Sequence, residues 1–232
     1  MKLLVAVVGV LFLSVGSVQG EPISFETSQS PFTAPGVDNQ GWWSATINNN
    51  DLNTNYFVGS NDAYRNFFTF DLSGLDLTGQ VIVSATLEIT RYGYAGSPTQ
   101  GPTLGLFDVT TSAHALNINQ GESASIHADL GSGSSYGAFA VAPYSYSSDD
   151  TLSFLLNGAA LSDIAASAGG FFSIGGALIS YEFNHSLFGS SDAGGIQRLT
   201  IETAPVPEPA SLVLLGTGLV MIGRRAYRRR RA

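Results

Sequence analysis

The clearest pattern in the chain is a period-two alternation. In VIVSATLEITRY, Val81, Val83, Ala85, Leu87 and Ile89 alternate with Ile82, Ser84, Thr86, Glu88 and Thr90. Successive side chains of a strand point to opposite faces, so this run predicts a half-buried strand. RNFFTFDL (65–72) places Phe68, Phe70 and Leu72 on one face, and TLSFLL (151–156) does the same with Leu152, Phe154 and Leu156. LGLFDVT (104–110), AFAVAPY (138–144), LISYEF (178–183) and RLTIET (198–203) also read as strands, with shorter ones expected at 44–47 and 56–58. AALSDIAASA (159–168) breaks the habit: Leu161, Ile164, Ala165 and Ala168 recur at helical spacing, and Gly169-Gly170 supplies a stop. Many short strands parted by Gly, Ser and Asn turns predict an all-β fold. The expected form is an antiparallel β-sandwich, jelly-roll-like, with one short helix. No fixed-period repeat interrupts it, so 21–203 reads as one domain.

Both ends depart from this pattern. Lys2 is followed by an apolar stretch from Leu3 to about Val15, then by smaller residues up to Val18-Gln19-Gly20. That order is the charged, apolar and small-residue succession of a secretory signal peptide (1–20), to be removed by signal peptidase. Cleavage is expected after Gly20, with Val18 at −3 and Gly20 at −1. An uncleaved N-terminal membrane helix is the alternative. The polar Glu21-Pro22 that follows at once speaks against it.

At the other end, Ala210 to Gly223 carries no charge. Fourteen helical residues reach only about 21 Å, against a hydrocarbon core near 30 Å. Upstream, Pro205, Pro207 and Pro209 lack amide donors and Glu208 is charged, so the span cannot be extended that way. Downstream stand Arg224, Arg225, Arg228, Arg229, Arg230 and Arg231. A basic cluster after an apolar segment is what the positive-inside rule expects of a chain that stops during export. The expected order is therefore a stalk (204–209), a short transmembrane helix (210–223) and a cytoplasmic arginine-rich tail (224–232).

Pro207-Glu208-Pro209, the short apolar segment and the terminal arginines together resemble the PEP-CTERM sorting signal of bacterial surface proteins. The resemblance implies recognition by an exosortase-type membrane enzyme, cleavage near the motif and transfer to the cell surface or extracellular matrix. Pro207, Glu208 and Pro209 would then be a recognition element in a substrate. An ordinary anchor with a proline-rich stalk is the alternative. In the body, FDLSGL and VSATLEI within 65–89 are similar to DNRLRE-type and related carbohydrate-binding sandwiches. The stretch LLNGAALSDIAASAGGFFSIGGAL resembles the bodies of other PEP-CTERM proteins.

Charge sharpens the division. The formal net charge is −8, yet six of the ten basic residues sit in the tail. Between Glu21 and Glu208, Arg65, Arg91 and Arg198 face all 18 acidic residues, a net of −15. Such a body repels phosphates, so nucleic acid is not an expected partner. It can attract divalent cations, or the charge can serve solubility alone. The absence of cysteine excludes disulfides, thiolate catalysis and Cys-based metal sites.

Candidate chemistry in the body is sparse. Asp51, Asn53 and Asn55 place oxygens on alternate residues, with Asp62 further on, as Ca²⁺ loops do. It is not an EF-hand, because Tyr56 replaces the turn glycine. A solvated Asx-rich loop is the plainer reading. Trp42 and Trp43, expected in a polar loop, could stack on sugar rings, with Tyr92, Tyr94, Tyr144 and Tyr146 extending the platform. Tryptophan more often anchors a core. His114, His127 and His185 lack HExxH spacing, and no nucleophile elbow or phosphate-binding glycine loop occurs. The expectation is thus a non-enzymatic exported protein with a structural or interaction role and no cofactor beyond a possible Ca²⁺. A carbohydrate-binding module and a glycan-active hydrolase, which needs two carboxylates, are the alternatives.

Overall fold

The computed structural model describes residues 20–27, 39–48, 55–91, 94–96, 99–118, 121–143, 150–182, 184–188 and 195–206, together with Gly216 and Gly218. Twelve strands and three helices are laid out along them. One sheet pairs β1 (Ile23–Glu26), β12 (Arg198–Pro205), β5 (Gln80–Arg91) and β9 (Asp150–Leu155) in that order. The other pairs β2 (Gln40–Trp43), β4 (Arg65–Asp71), β10 (Phe171–Ser180), β7 (Thr103–Asp108) and β8 (Ser135–Ala140). A small third sheet holds β3 (Val58–Gly59), β11 (Ser186–Leu187) and β6 (Tyr94–Ala95). Every pairing is antiparallel. From β4 to β12 the chain passes repeatedly between the two large sheets, staying in one sheet only from β7 to β8. That winding is a jelly roll, with β2 added beside β4.

The core lies between the two large sheets. Phe68, Phe70, Leu104, Leu106 and Ile174 from one meet Ala85, Leu87, Ile89, Phe154, Leu199 and Ile201 from the other. The phase expected for β4 holds for Phe68, Phe70 and Leu72, all fully buried. In β5 it holds only in part. Ala85, Leu87 and Ile89 are buried, but Val81 and Val83 are 42% and 44% exposed. Opposite them the register passes from Ser84 with Glu202 to Ile82 with Thr203, leaving Val83 unpaired. This β-bulge inserts one residue and inverts the alternation, so Ile82 packs on the core instead.

Three helices replace the one expected. α3 (Gly158–Ala166) falls where the pattern put it, its amides capped by the Asn157 side chain and its end followed by Gly169 at φ 82°. α1 (Ala113–Ile118) and α2 (Ala124–Asp129) lie between β7 and β8. They cover the outer face of β2 and β4, where Trp43, Phe67, Leu116 and Leu130 form a second apolar cluster. Gly175 of β10 allows this layer to approach. A Cβ there would stand 2.6 Å from the Leu130 carbonyl oxygen.

Other boundaries also move. The strand expected at 178–183 is the second half of β10, which begins at Phe171 and runs through Gly175 and Gly176. The strand expected at 44–47 is β2, four residues earlier. β12 runs through Pro205, so the first two residues of the expected stalk belong to the sheet. Among the described residues no helix is long and apolar enough to cross a membrane. The expected span at 210–223 and tail at 224–232 lie almost wholly outside them.

Candidate functional site: a carboxylate-lined groove

A groove of about 630 Å³ opens where β7 ends and β10 begins, bounded on one side by the last turn of α3. That volume lies within the range of small-ligand pockets. Asp108 comes from the end of β7, Tyr136 from β8, Asp163 from α3 and Phe171 from the start of β10. His114, on the first turn of α1, also lines it.

Two of these groups form a fixed pair. The buried Tyr136 hydroxyl donates to Asp163 Oδ2 at 2.9 Å, and the Tyr136 ring packs on Phe172 with centroids 5.8 Å apart. Burial pushes the Tyr136 phenol far above its ordinary range. The bond to Asp163 and the charges of Asp163 and Asp108 push it the same way. It is therefore a permanent donor that orients Asp163 and does not ionise. Asp108 is different. Its amide donates to Ser134 O at 3.0 Å, but its carboxylate Oδ1 is closed off from solvent with no hydrogen-bond donor among the described residues. That oxygen rests against Gly133, at φ 80°, where a Cβ would stand only 2.1 Å away.

The wall beside it is fixed by Asp129 at the end of α2. Its two oxygens accept from the amides and hydroxyls of Thr110 and Thr111, at 2.6 to 3.0 Å. Partial burial of Asp129 raises its pKa, but these bonds outweigh it and hold the carboxyl below the usual range. The groove thus offers carboxylate and hydroxyl oxygens, with no lysine or arginine among its lining residues.

The structure corrects the placement of the tryptophans. Trp42 and Trp43 lie in β2, not in a polar loop, and are 8% and 4% exposed. Trp43 Nε1 donates to Leu116 O at 3.1 Å, and Trp42 meets Tyr64 edge-on at 4.8 Å. Both rings are largely buried, although Trp42 lines a small pocket with Phe57 and Tyr64. Tyr92, Tyr144 and Tyr146 lie outside the described residues.

Of the expected Ca²⁺ ligands, Asp51 and Asn53 lie outside the described residues, and the other two have different work. Asn55 Oδ1 accepts from Phe57 N at 3.0 Å. Asp62 makes a two-pronged ion pair with Arg65, at 2.7 and 2.9 Å. Asp62 ends a left-handed run with Ser60 and Asn61, at φ 52°, 59° and 62°. L-residues disfavour this region, so the turn depends on its bonds, among them Asn184 N to Asn61 Oδ1 at 3.1 Å. Arg65 also donates to the carbonyls of His127 and Ala128, and His127 Nε2 contacts Asp62 O at 2.8 Å. His185 is fully buried just before β11, where its Nδ1 accepts from Glu182 N. The three histidines therefore sit in separate settings. Among the described residues no group of three or more His, Cys, Asp or Glu is placed to hold a metal ion.

No single motif foretold the groove. Asp108 and Asp163 lie 55 residues apart on a strand and a helix, and only the jelly-roll winding joins them.

Residues 205–231 match the family model of the PEP-CTERM protein-sorting motif. The chain thus carries a PEP-CTERM protein-sorting motif, and the motif implies processing by an exosortase, a sorting enzyme. Pro207, Glu208 and Pro209 and all six tail arginines fall within the match, outside the described residues. No curated protein matches the chain. The likeness of the body to carbohydrate-binding sandwiches finds no support in these comparisons.

Proposed function

We propose that this chain is exported, held in the membrane by its C-terminal segment, and released by an exosortase-type enzyme to the cell surface or extracellular polysaccharide matrix. There its jelly-roll body serves a structural or binding role and not a catalytic one. The observation that carries this reading is the sorting motif at 205–231 and its position relative to the fold. The last described backbone bond of the domain is Val206 N to Gly79 O at 2.9 Å, and Pro207 follows directly. The motif therefore starts where the sheet ends. Only Pro207, Glu208 and Pro209 separate Val206 from Ala210, four Cα steps with a reach of at most about 14 Å. The folded body is thereby tethered close to the membrane surface, with the Pro-Glu-Pro tripeptide in the gap.

The test is a Glu208→Ala substitution, or loss of the host exosortase, followed by cell fractionation. Both should retain the protein in the membrane fraction. Undiminished delivery to the surface in both cases would contradict the sorting reading.

A further inference from the structure

Exposed apolar side chains gather at one corner of the sandwich. The bulge in β5 leaves Val81 and Val83 on the outer face, 42% and 44% exposed. Val81 pairs with Ala204 of β12, and Val206, two residues further on, is 49% exposed. On the other side of β5, Leu155 ends β9 opposite Thr86 and is 65% exposed. At about 3.3 Å per residue, Val83 and Thr86 stand roughly 10 Å apart along β5, so these side chains form one patch. Beside it, Leu77, Ile82 and Leu161 line a recess of about 240 Å³ with Val81. Between Gln80 and Thr86 and between Glu202 and Pro205, Glu202 is the only ionisable residue. A lone exposed valine needs no explanation, but a contiguous apolar patch marks an interaction surface.

What covers this corner follows from where the chain goes next. The Val206 amide donates to Gly79 O at 2.9 Å, and the uncharged segment 210–223 begins just past Pro207, Glu208 and Pro209. We infer that the unprocessed body rests on the lipid surface by this corner, with Val81, Val83, Leu155 and Val206 in the headgroup zone. The inference rests on the anchoring step of the proposed function and adds the orientation of the body. A tether of at most about 14 Å holds the corner at an effective concentration near the millimolar range. A patch too small to keep a free protein on a membrane is therefore occupied while the anchor lasts. Glu21 and Asp76, both exposed beside the corner, keep the contact shallow. The net charge of −15 between Glu21 and Glu208 disfavours an anionic surface, so the lipid partner is zwitterionic. The far end of the same strand has no such neighbour. Ile196 is also 50% exposed, but it stands up to about 33 Å from Val206 along the chain. Cleavage near Pro207-Glu208-Pro209 removes the tether, and the contact with it.

The chain has no cysteine, so single Val83→Cys, Leu155→Cys and Ile196→Cys variants of the full chain can each carry one fluorophore. They are placed in phosphatidylcholine vesicles that contain a lipid with a nitroxide headgroup. An apolar face held at a bilayer sinks roughly 5–10 Å into the headgroup boundary, so fluorescence at Val83 and Leu155 should fall about twofold or more. Fluorescence at Ile196 should barely change. Adding Val81→Ser and Val83→Ser to Leu155→Cys should weaken its quenching. Both valines are nearly half exposed, so the core is spared. Anchoring is read separately, by flotation of the vesicles. A chain that fails to float overturns the anchoring reading and this inference together. A floating chain overturns this inference alone if the three labels are quenched equally or if those at Val83 and Leu155 stay in water. It does so too if the serine pair leaves the quenching unchanged. Labels shielded from water yet not quenched by lipid would give the corner to a protein partner instead, and would also overturn it.

Discussion

Ser24 and Thr200 face each other directly across the first and last strands of the sandwich, their hydroxyl oxygens 3.1 Å apart. This pairing joins the two ends of the body. Four residues upstream of Ser24 and three downstream of Thr200, the Gly20 amide donates to Thr203 O at 2.9 Å. The expected signal-cleavage position and the start of the sorting motif therefore leave the fold side by side. One prediction follows from the register alone. The chain has no cysteine, so a Ser24→Cys/Thr200→Cys double variant should form a single disulfide on export. Alkylation and mass measurement read it; two free thiols after mild oxidation would contradict the register.

Gly175 tests the layer that the two short helices add outside the β2–β4 face. Gly175→Ala forces a methyl against the Leu130 backbone and should destabilise by about 1–3 kcal/mol. Gly158, at the first position of α3 with nothing within 4 Å of a built Cβ, provides the control. Its alanine variant should melt at or above the wild-type temperature. Equal melting of the Gly175 variant would mean that the helical layer does not rest on β10 as described.

Trp43 separates anchor from platform. Trp43→Ala should destabilise by about 3–5 kcal/mol, since it empties the cluster with Phe67, Leu116 and Leu130 and leaves Leu116 O without its indole donor. Chemical denaturation measures this. A small loss of stability would return Trp43 to the surface.

Much of the sandwich was legible in the sequence, because period two leaves a direct trace. β4, β5, β7, β9 and β12 stand where the alternation put them. Its failures have physical causes. Val81 and Val83 continue the alternation past a bulge that only the partner strand reveals. Phe67 beside Phe68 was the trace of a second layer, since adjacent aromatics cannot both face one core. The sequence of α1 and α2 is too short for helical periodicity, six residues each, although Ser123 accepts from Ile126 N as a capping serine does. The tryptophans were misplaced because their polar neighbours suggested a loop, whereas the covering helices come from 70 residues downstream. The groove was illegible because its carboxylates meet only through the winding of the chain.

Acid should weaken the fold in two stages with different owners. Burial and the neighbouring Arg65 charge hold the His127 imidazole below its ordinary pKa of 6.5. Its neutral form is the one the fold favours, so its contribution is complete above about pH 6.5 and is lost as pH falls toward the depressed folded value. Asp129, held below 3.8 by Thr110 and Thr111, contributes above the unfolded value and loses that contribution only at lower pH. Melting temperature against pH should therefore decline first below about pH 6.5, and this first decline should flatten in His127→Gln. An unchanged slope in that variant would assign the step to another group.

The most direct measurement is the intact mass of the protein recovered from the cell surface. The account predicts a chain that begins near Glu21 and ends near the Pro207-Glu208-Pro209 motif, without the apolar segment and without Arg224 to Arg231. A surface protein whose mass retains those arginines would contradict it.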